Sequence, residues 1–122
     1  FRWQNGQPVV EPSWFGFMLL VKPDAPFTRT DLARELDRNK IGNRMLFGGN
    51  LTRQPVFVQM KREHQAKGGE APFRIVGDLH GADSIMNQGL FVGVYPGLSE
   101  EQLEFIASRI GNYCQRAISR AA

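Results

Sequence analysis

Cysteine is nearly absent: Cys114 is the only one in 122 residues, so no internal disulfide staples the chain. That usage fits a reducing compartment. Histidine is almost as scarce, with His64 and His80 alone, and no pair of His, Cys or carboxylates has the spacing of metal ligands. No apolar run reaches the roughly 18 residues that a membrane-spanning helix needs. The start lacks the basic, apolar and small-residue succession of a signal peptide. No Gly-rich phosphate loop opens a helix, and Gly48-Gly49 is a bare doublet. Internal repeats and low-complexity tracts are missing too. The chain opens on Phe1 rather than Met, so an upstream segment is expected to precede it.

What is present is a core. Hydrophobic residues make up 42% of the chain, enough to argue against wholesale disorder. The length suits one domain that folds without disulfides or a structural metal. The formal charge is +3, but the basic residues are scattered among acids. Arg44, Arg53 and Arg74 are too dispersed for a nucleic-acid surface, which calls for clustered cations with aromatics on an open sheet face. An ordinary solvated surface is the expectation, with no nucleic-acid and no membrane partner.

Periodicity and turn residues set out the elements. Residues 1–12 carry Gly6, Pro8 and Pro12 without a period and read as an extended lead-in. Ser13 to Val21 is a nearly continuous apolar run, the pattern of a strand covered on both faces. A small sheet cannot supply both covers, so a partner surface is expected. After the Pro23–Pro26 loop, Thr28 or Thr30 caps a helix with Asp31 in its first turn and Leu32, Ala33 and Leu36 on one face. That helix should end near Asn39 in a left-handed cap. Ile41 to Phe47 reads as a short strand broken by Gly48-Gly49. Pro55 opens a short helix, and Lys61 to Pro72 reads as a mobile polar loop. Asp83 to Asn87 forms one or two helical turns ending at Gly89, and Leu90 to Tyr95 is an apolar strand closed by Pro96-Gly97. Ser99 and Gln102 form a capping box for a last helix, with Leu103, Ile106, Ile110, Tyr113, Cys114 and Ala117 on its apolar stripe. The sum is an α+β layer: a small sheet of three or more strands with helices packed on one face.

Catalytic equipment is thin. His64 lies in a polar stretch and reads as a solvated surface residue. His80 stands at a turn or cap. Cys114 reads as a small core residue on its helix stripe. One segment stands out, F-G-G-N-L-T-R-Q-P from Phe47 to Pro55. Gly48 and Gly49 permit close backbone approach, and Asn50, Thr52, Arg53 and Gln54 follow within five residues. Amide and guanidinium groups of this kind suit sugar hydroxyls or phosphates; equally, they suit a tight turn whose side chains satisfy its own backbone. A second segment runs from Met86 to Pro96. Asn87 and Gln88 stand where a helix gives way to a strand, and Tyr95 stands at that strand's far end. Asn87 also reads as a helix C-cap, and Tyr95 as a core-edge aromatic.

These segments resemble a known family. P-S-W-F-G-F at residues 12–17, N-K-I-G-N-R-M-L-F-G-G-N-L-T-R-Q-P at 39–55, F-R-I-V-G-D-L at 73–79 and I-M-N-Q-G-L-F-V-G-V-Y-P-G-L-S-E-E at 85–101 carry the likeness. They resemble the C-terminal region of the sugar aminotransferase and dehydrase group of fold-type I pyridoxal-phosphate enzymes. Within it they resemble the dehydrase branch of nucleotide-sugar 3-dehydrases, such as the CDP-4-keto-6-deoxyglucose 3-dehydrases and related lipopolysaccharide-biosynthesis proteins.

The resemblance implies a fragment: residues 13–122 as the C-terminal small domain, with a surface-loop insertion at 62–72. It implies a cytoplasmic enzyme that removes the 3-hydroxyl of a nucleotide-linked 4-keto-6-deoxyhexose. Pyridoxamine or pyridoxal phosphate would be held by a large domain, with no cofactor held by this chain alone. That large domain carries the family's His in place of the Schiff-base Lys, and in some members a [2Fe-2S] cluster that Cys114 alone cannot hold. A homodimer and a reductase are the further partners implied. Asn50, Arg53 and Gln54, with Asn87, Gln88 and Tyr95, would contact the sugar nucleotide, and Gly48 and Gly49 would allow the approach. The rival readings are a sugar aminotransferase fragment and a stand-alone α+β ligand-binding module.

Overall fold

A computed structural model describes residues 1–3, 9 and 11–121. In chain order its elements are Arg2–Trp3 (β1), Gly16–Leu20 (β2), Arg29–Arg38 (α1), Asn43–Arg44 (β3), Pro55–Ala66 (α2), His80–Gln88 (α3), Gly89–Gly93 (β4) and Glu100–Ala121 (α4). A single 3-10 turn, Leu51–Arg53, precedes α2. The strands make one antiparallel sheet in the order β1-β2-β4-β3. The class is α+β, as expected.

The two central strands pair from Gly16 opposite Gly93 to Leu20 opposite Gly89. Backbone bonds carry the ladder one step further each way, from Val94 N–H to Phe15 O and from Val21 N–H to Gln88 O. Side chains alternate between the sheet's faces. Leu19 and its cross-strand partner Leu90, with Val92, point to one face, where they meet Leu32 and Leu36 of α1 and Ile41. Ile106, Ile110 and Tyr113 of α4 close over the same core. Leu32, Leu36 and Leu90 are fully buried, each contributing roughly 1.5–3 kcal/mol of transfer free energy. The Arg116 guanidinium bonds Glu35 Oε1 at 2.6 Å and ties α4 to α1.

Local chemistry explains the helix ends. Thr28 Oγ1 accepts from Asp31 N–H, and the Asp31 carboxylate accepts from Thr28 N–H, a complete capping box. The reciprocal bonds between Ser99 and Gln102 start α4 in the same way. At the end of α1 the left-handed residue is Lys40 (φ 59), one place beyond the expected Asn39. Ile41 N–H bonds Leu36 O and Lys40 N–H bonds Asp37 O, and buried Ile41 packs beside Leu36. This paired closure decides which residue turns left-handed.

Several expected boundaries move. Residues 61–66 are helical rather than loop, because Lys, Arg, Glu, Gln and Ala all extend a helix and nothing breaks α2 before Gly68. The proposed insertion at 62–72 therefore begins inside α2. Strand β3 covers only Asn43–Arg44 of the expected 41–47: the Ile41 N–H is committed to the α1 cap, and a turn from Leu46 O to Gly49 N–H takes the other end. Helix α3 starts at His80, three residues before the expected Asp83. Leu103 is exposed rather than part of the buried α4 stripe. The lead-in also needs correction. Arg2 and Trp3 pair with Leu20 and Leu19, and the Phe1 ring lies 5.9 Å from Phe27, so the first residues belong to this sheet and core. Gly6 and Pro8 of that lead-in lie outside the described residues.

Among the described residues, the other sheet face carries exposed aromatic side chains. Phe91 and Met18, paired across β4 and β2, point away from the core. The Phe15, Phe47 and Phe91 rings lie 5.7–6.5 Å apart there. Gly16 makes room for this arrangement: a Cβ on it would stand 2.5 Å from Phe91 Cδ2. Phe15 and Phe47 remain 71% and 79% exposed, an apolar patch next to strand β2.

Candidate functional site

The segment after Phe47 folds on itself before it meets anything else. Phe47 stands at φ 42 and Gly49 at φ 60, both in the left-handed region. Gln54 Nε2 donates to Gly48 O at 2.7 Å, closing the loop from its far end. Asn50 Oδ1 accepts from Thr52 N–H at 3.1 Å and from Thr52 Oγ1 at 2.7 Å, which sets the turn Leu51–Arg53. Asn50 is only 3% exposed, so its amide must find partners inside the protein.

Its second partner lies 33 residues on. Asn50 Nδ2 donates to Asp83 Oδ1 at 2.8 Å. Arg53 reaches the same carboxylate with both arms of its fork, Nε to Oδ1 at 3.1 Å and Nη2 to Oδ2 at 2.8 Å. Asp83 sits in the first turn of α3, where a negative charge is favourable. The Arg53 bonds, and next the Asn50 bond, draw the Asp83 carboxyl down to about 2. The Arg53 guanidinium is pushed up in turn by its bonds to Asp83.

The glycines act locally. A Cβ on Gly48 would stand 2.9 Å from Leu51 Cδ2, and one on Gly49 would stand 2.6 Å from Met86 Cγ. The close approach at Gly49 is therefore toward α3 of the same chain. Asn50, Thr52 and Arg53 line a cavity of about 490 Å³ with Lys61, Arg62 and Asp83, floored by Phe73 and other apolar side chains.

The other expected contacts lie elsewhere. Asn87 and Gln88 end α3 beside Lys22, Thr28 and Arg29, around a cavity of about 380 Å³. Tyr95 is exposed beyond the far end of β4, next to a cavity of about 640 Å³ shared with Lys40, Gln102 and Phe105. Gln88 and Tyr95 flank opposite ends of one strand, a separation on the order of 20 Å at the rise of a strand. Within this chain, then, Asn50, Arg53 and Gln54 converge, and Asn87, Gln88 and Tyr95 do not join them. Asp83 is the residue that the sequence reading leaves without a role. The available signal was that two donors three residues apart, Asn50 and Arg53, call for a shared acceptor; the acceptor's identity is non-local.

The remaining chemistry-bearing side chains fit structural roles. His64 is exposed, with Nδ1 3.0 Å from Met60 O. His80 opens α3, its backbone N–H bonded to Asp78 Oδ1. Cys114 is half-buried on α4, and burial pushes its thiol up. No group of three or more metal-ligating side chains occurs among the described residues. No described helix is long and apolar enough to cross a membrane.

The chain is similar to several known proteins. Lipopolysaccharide biosynthesis protein RfbH of Salmonella typhimurium is 41% identical over 103 residues, which is 84% of this chain and 21% of that protein. The dTDP-4-dehydro-2,6-dideoxy-D-glucose 3-dehydratase of Saccharopolyspora spinosa is 34% identical over 110 residues, 90% of this chain and 21% of that enzyme. The chain thus spans about a fifth of the length of these relatives. Among solved structures, an E coli GDP-4-keto-6-deoxy-D-mannose-3-dehydratase with bound hydrated PLP has the same fold over 88% of this chain and 25% of its own. Its TM-score is 0.66 and its identity 21%. The profile of the DegT/DnrJ/EryC1/StrS aminotransferase family matches residues 3–111, and on that match the chain belongs to this family.

Proposed function

We propose that this chain is the C-terminal small domain of a nucleotide-sugar 3-dehydrase, with residues 13–122 and the first sheet strand making up the domain. The observation that carries the reading is the S. spinosa 3-dehydratase, which shares about a third of its aligned residues over nine-tenths of this chain. The intact enzyme would remove the 3-hydroxyl of a nucleotide-linked 4-keto-6-deoxyhexose in deoxysugar or lipopolysaccharide biosynthesis, in the cytoplasm.

Pyridoxamine or pyridoxal phosphate belongs to this chemistry, supplying the electron sink for loss of the hydroxyl. The residues described here do not make a seat for it. The Gly48-Gly49 turn is packed against Leu51 and Met86 rather than open to a phosphate, and the Asp83 carboxylate is already taken by Arg53 and Asn50. On this reading the cofactor is held by the large domain, as is any [2Fe-2S] cluster. The chain's own contribution is to cover the site and orient the sugar nucleotide. Arg53 has its guanidinium largely exposed and is the first candidate contact, with exposed Asn87 and Tyr95, and with Gln88, approaching from other edges. Asn50 and Gln54 contribute by shaping the loop that carries Arg53. The open aromatic face at Phe15, Phe47 and Phe91 would meet the large domain. A homodimer partner and an electron-supplying reductase complete the assembly.

The test is to incubate the full-length protein with pyridoxamine phosphate and nucleotide-linked 4-keto-6-deoxyhexoses, and to follow the sugar by mass spectrometry. Net loss of one oxygen from the sugar, the 3-hydroxyl replaced by hydrogen with the two electrons drawn from pyridoxamine phosphate as it becomes pyridoxal phosphate, supports the dehydrase. Gain of an amino group with the 3-hydroxyl retained would instead make it an aminotransferase, the activity in the family's description. Absence of both would refute the reading.

A further inference from the structure

The Arg53 side chain is 62% exposed, and an arginine that free would ordinarily spread over many rotamers. Here it does not. Its Nε–Nη2 edge is clamped by both oxygens of Asp83, and a planar fork held by one edge has its other edge aimed in a fixed direction. The loop does not need Asp83 to close, because the Gln54–Gly48 and Asn50–Thr52 bonds already close it. Yet buried Asn50 adds a third donor to the same carboxylate and fixes the acceptor's own position.

We propose that Asp83 is a positioning residue for nucleotide-sugar binding: it holds the Arg53 guanidinium in one orientation, with the Nη1–Nη2 edge presented to an oxygen of the ligand. The inference rests on the reading of Arg53 as a substrate contact and adds the residue that makes this contact possible. Asp83 is ionised throughout the neutral range, so the clamp is set before the ligand arrives. Orientation in advance lowers the ordering cost of binding, and the benefit should appear in the affinity for the nucleotide sugar rather than in the bond-breaking step.

The experiment is steady-state kinetics on the cofactor-loaded full-length protein, using the nucleotide-linked 4-keto-6-deoxyhexose that it dehydrates. The variants are Asp83→Asn, Asp83→Glu, Arg53→Ala and the double variant Asp83→Asn/Arg53→Ala. Asp83→Asn is expected to raise KM about tenfold with kcat changed less than about twofold, the pattern of lost ground-state orientation. Arg53→Ala should raise KM by at least as much, and the double variant should be no worse than Arg53→Ala alone, because Asp83 acts through Arg53. Should Asp83→Asn fail to fold, Asp83→Glu keeps the charge and displaces the fork by one methylene, and KM must again rise. Unchanged KM in whichever Asp83 variant folds would overturn the proposal. So would a full additional loss from Asp83→Asn on the Arg53→Ala background, which would mark Asp83 as acting on the fold alone. Unchanged kinetics in Arg53→Ala would instead remove the substrate-contact reading underneath it.

Discussion

Replacing Gly49 by alanine tests how tightly the Asn50–Arg53 loop is pressed onto α3. Gly49 stands at φ 60, a conformation that costs an L-residue roughly 1–2 kcal/mol. The added Cβ would also lie 2.6 Å from Met86 Cγ, 2.8 Å from Met86 Cβ and 3.3 Å from Met86 Cα. The γ carbon can swing aside, but the other two are fixed in α3, so the loop must lift. Overpacking of that kind costs about 1–3 kcal/mol. The two effects together predict a loss of roughly 2–5 kcal/mol. Two further glycines separate them. Gly77 stands at φ 77 with nothing within 4 Å of an added Cβ, so Gly77→Ala should show only the backbone cost, about 1–2 kcal/mol. Gly42 has neither feature, and Gly42→Ala should lie within about 0.5 kcal/mol of the parent. Urea unfolding followed by circular dichroism gives all three from the midpoint, provided the slope is unchanged. A Gly49→Ala protein no less stable than Gly77→Ala would show that the loop is not packed on α3, and the Asp83 clamp would lose its setting.

Three other outcomes follow from the same structure. Thr28→Ala removes the side-chain half of the α1 capping box and should cost about 1 kcal/mol in thermal unfolding; an unchanged melting temperature would count against the cap. Cys114→Ser should destabilise by roughly 1–3 kcal/mol, and a thiol-reactive dye should label the folded parent slowly at neutral pH, since burial raises the thiol; rapid labelling would contradict the packing of α4. Asp83 titrates at about 2 when folded, against an ordinary value of 3.8, so the unfolded chain takes up the proton first. Its stabilisation is therefore present above about pH 4 and lost as pH falls through about 2, and Asp83→Asn should flatten the acid-unfolding curve over that window. Identical acid curves for the two proteins would deny the ion pair.

Features set within one helical turn are legible in the amino-acid order. Thr28 and Asp31, and Ser99 and Gln102, are three residues apart and bond directly, so each pair announces its helix without tertiary help. The period of Leu32, Ala33 and Leu36 names the buried face of α1 for the same reason. The apolar character of residues 13–21 likewise signals a strand, which the structure forms over Gly16–Leu20. Where the reading of a local pattern fails, a second pattern competes for the same backbone groups: the expected strand at 41–47 loses Ile41 to a helix cap and Leu46 to a turn. Only the tertiary structure decides that Arg2 and Trp3 complete the sheet, because strand partners carry no mark of their register across so much chain. It alone decides, too, that Asn50 and Arg53 share Asp83. Each donor's chemistry is written at its own position, but the acceptor comes from a helix about thirty residues on, and the folded path between them selects it.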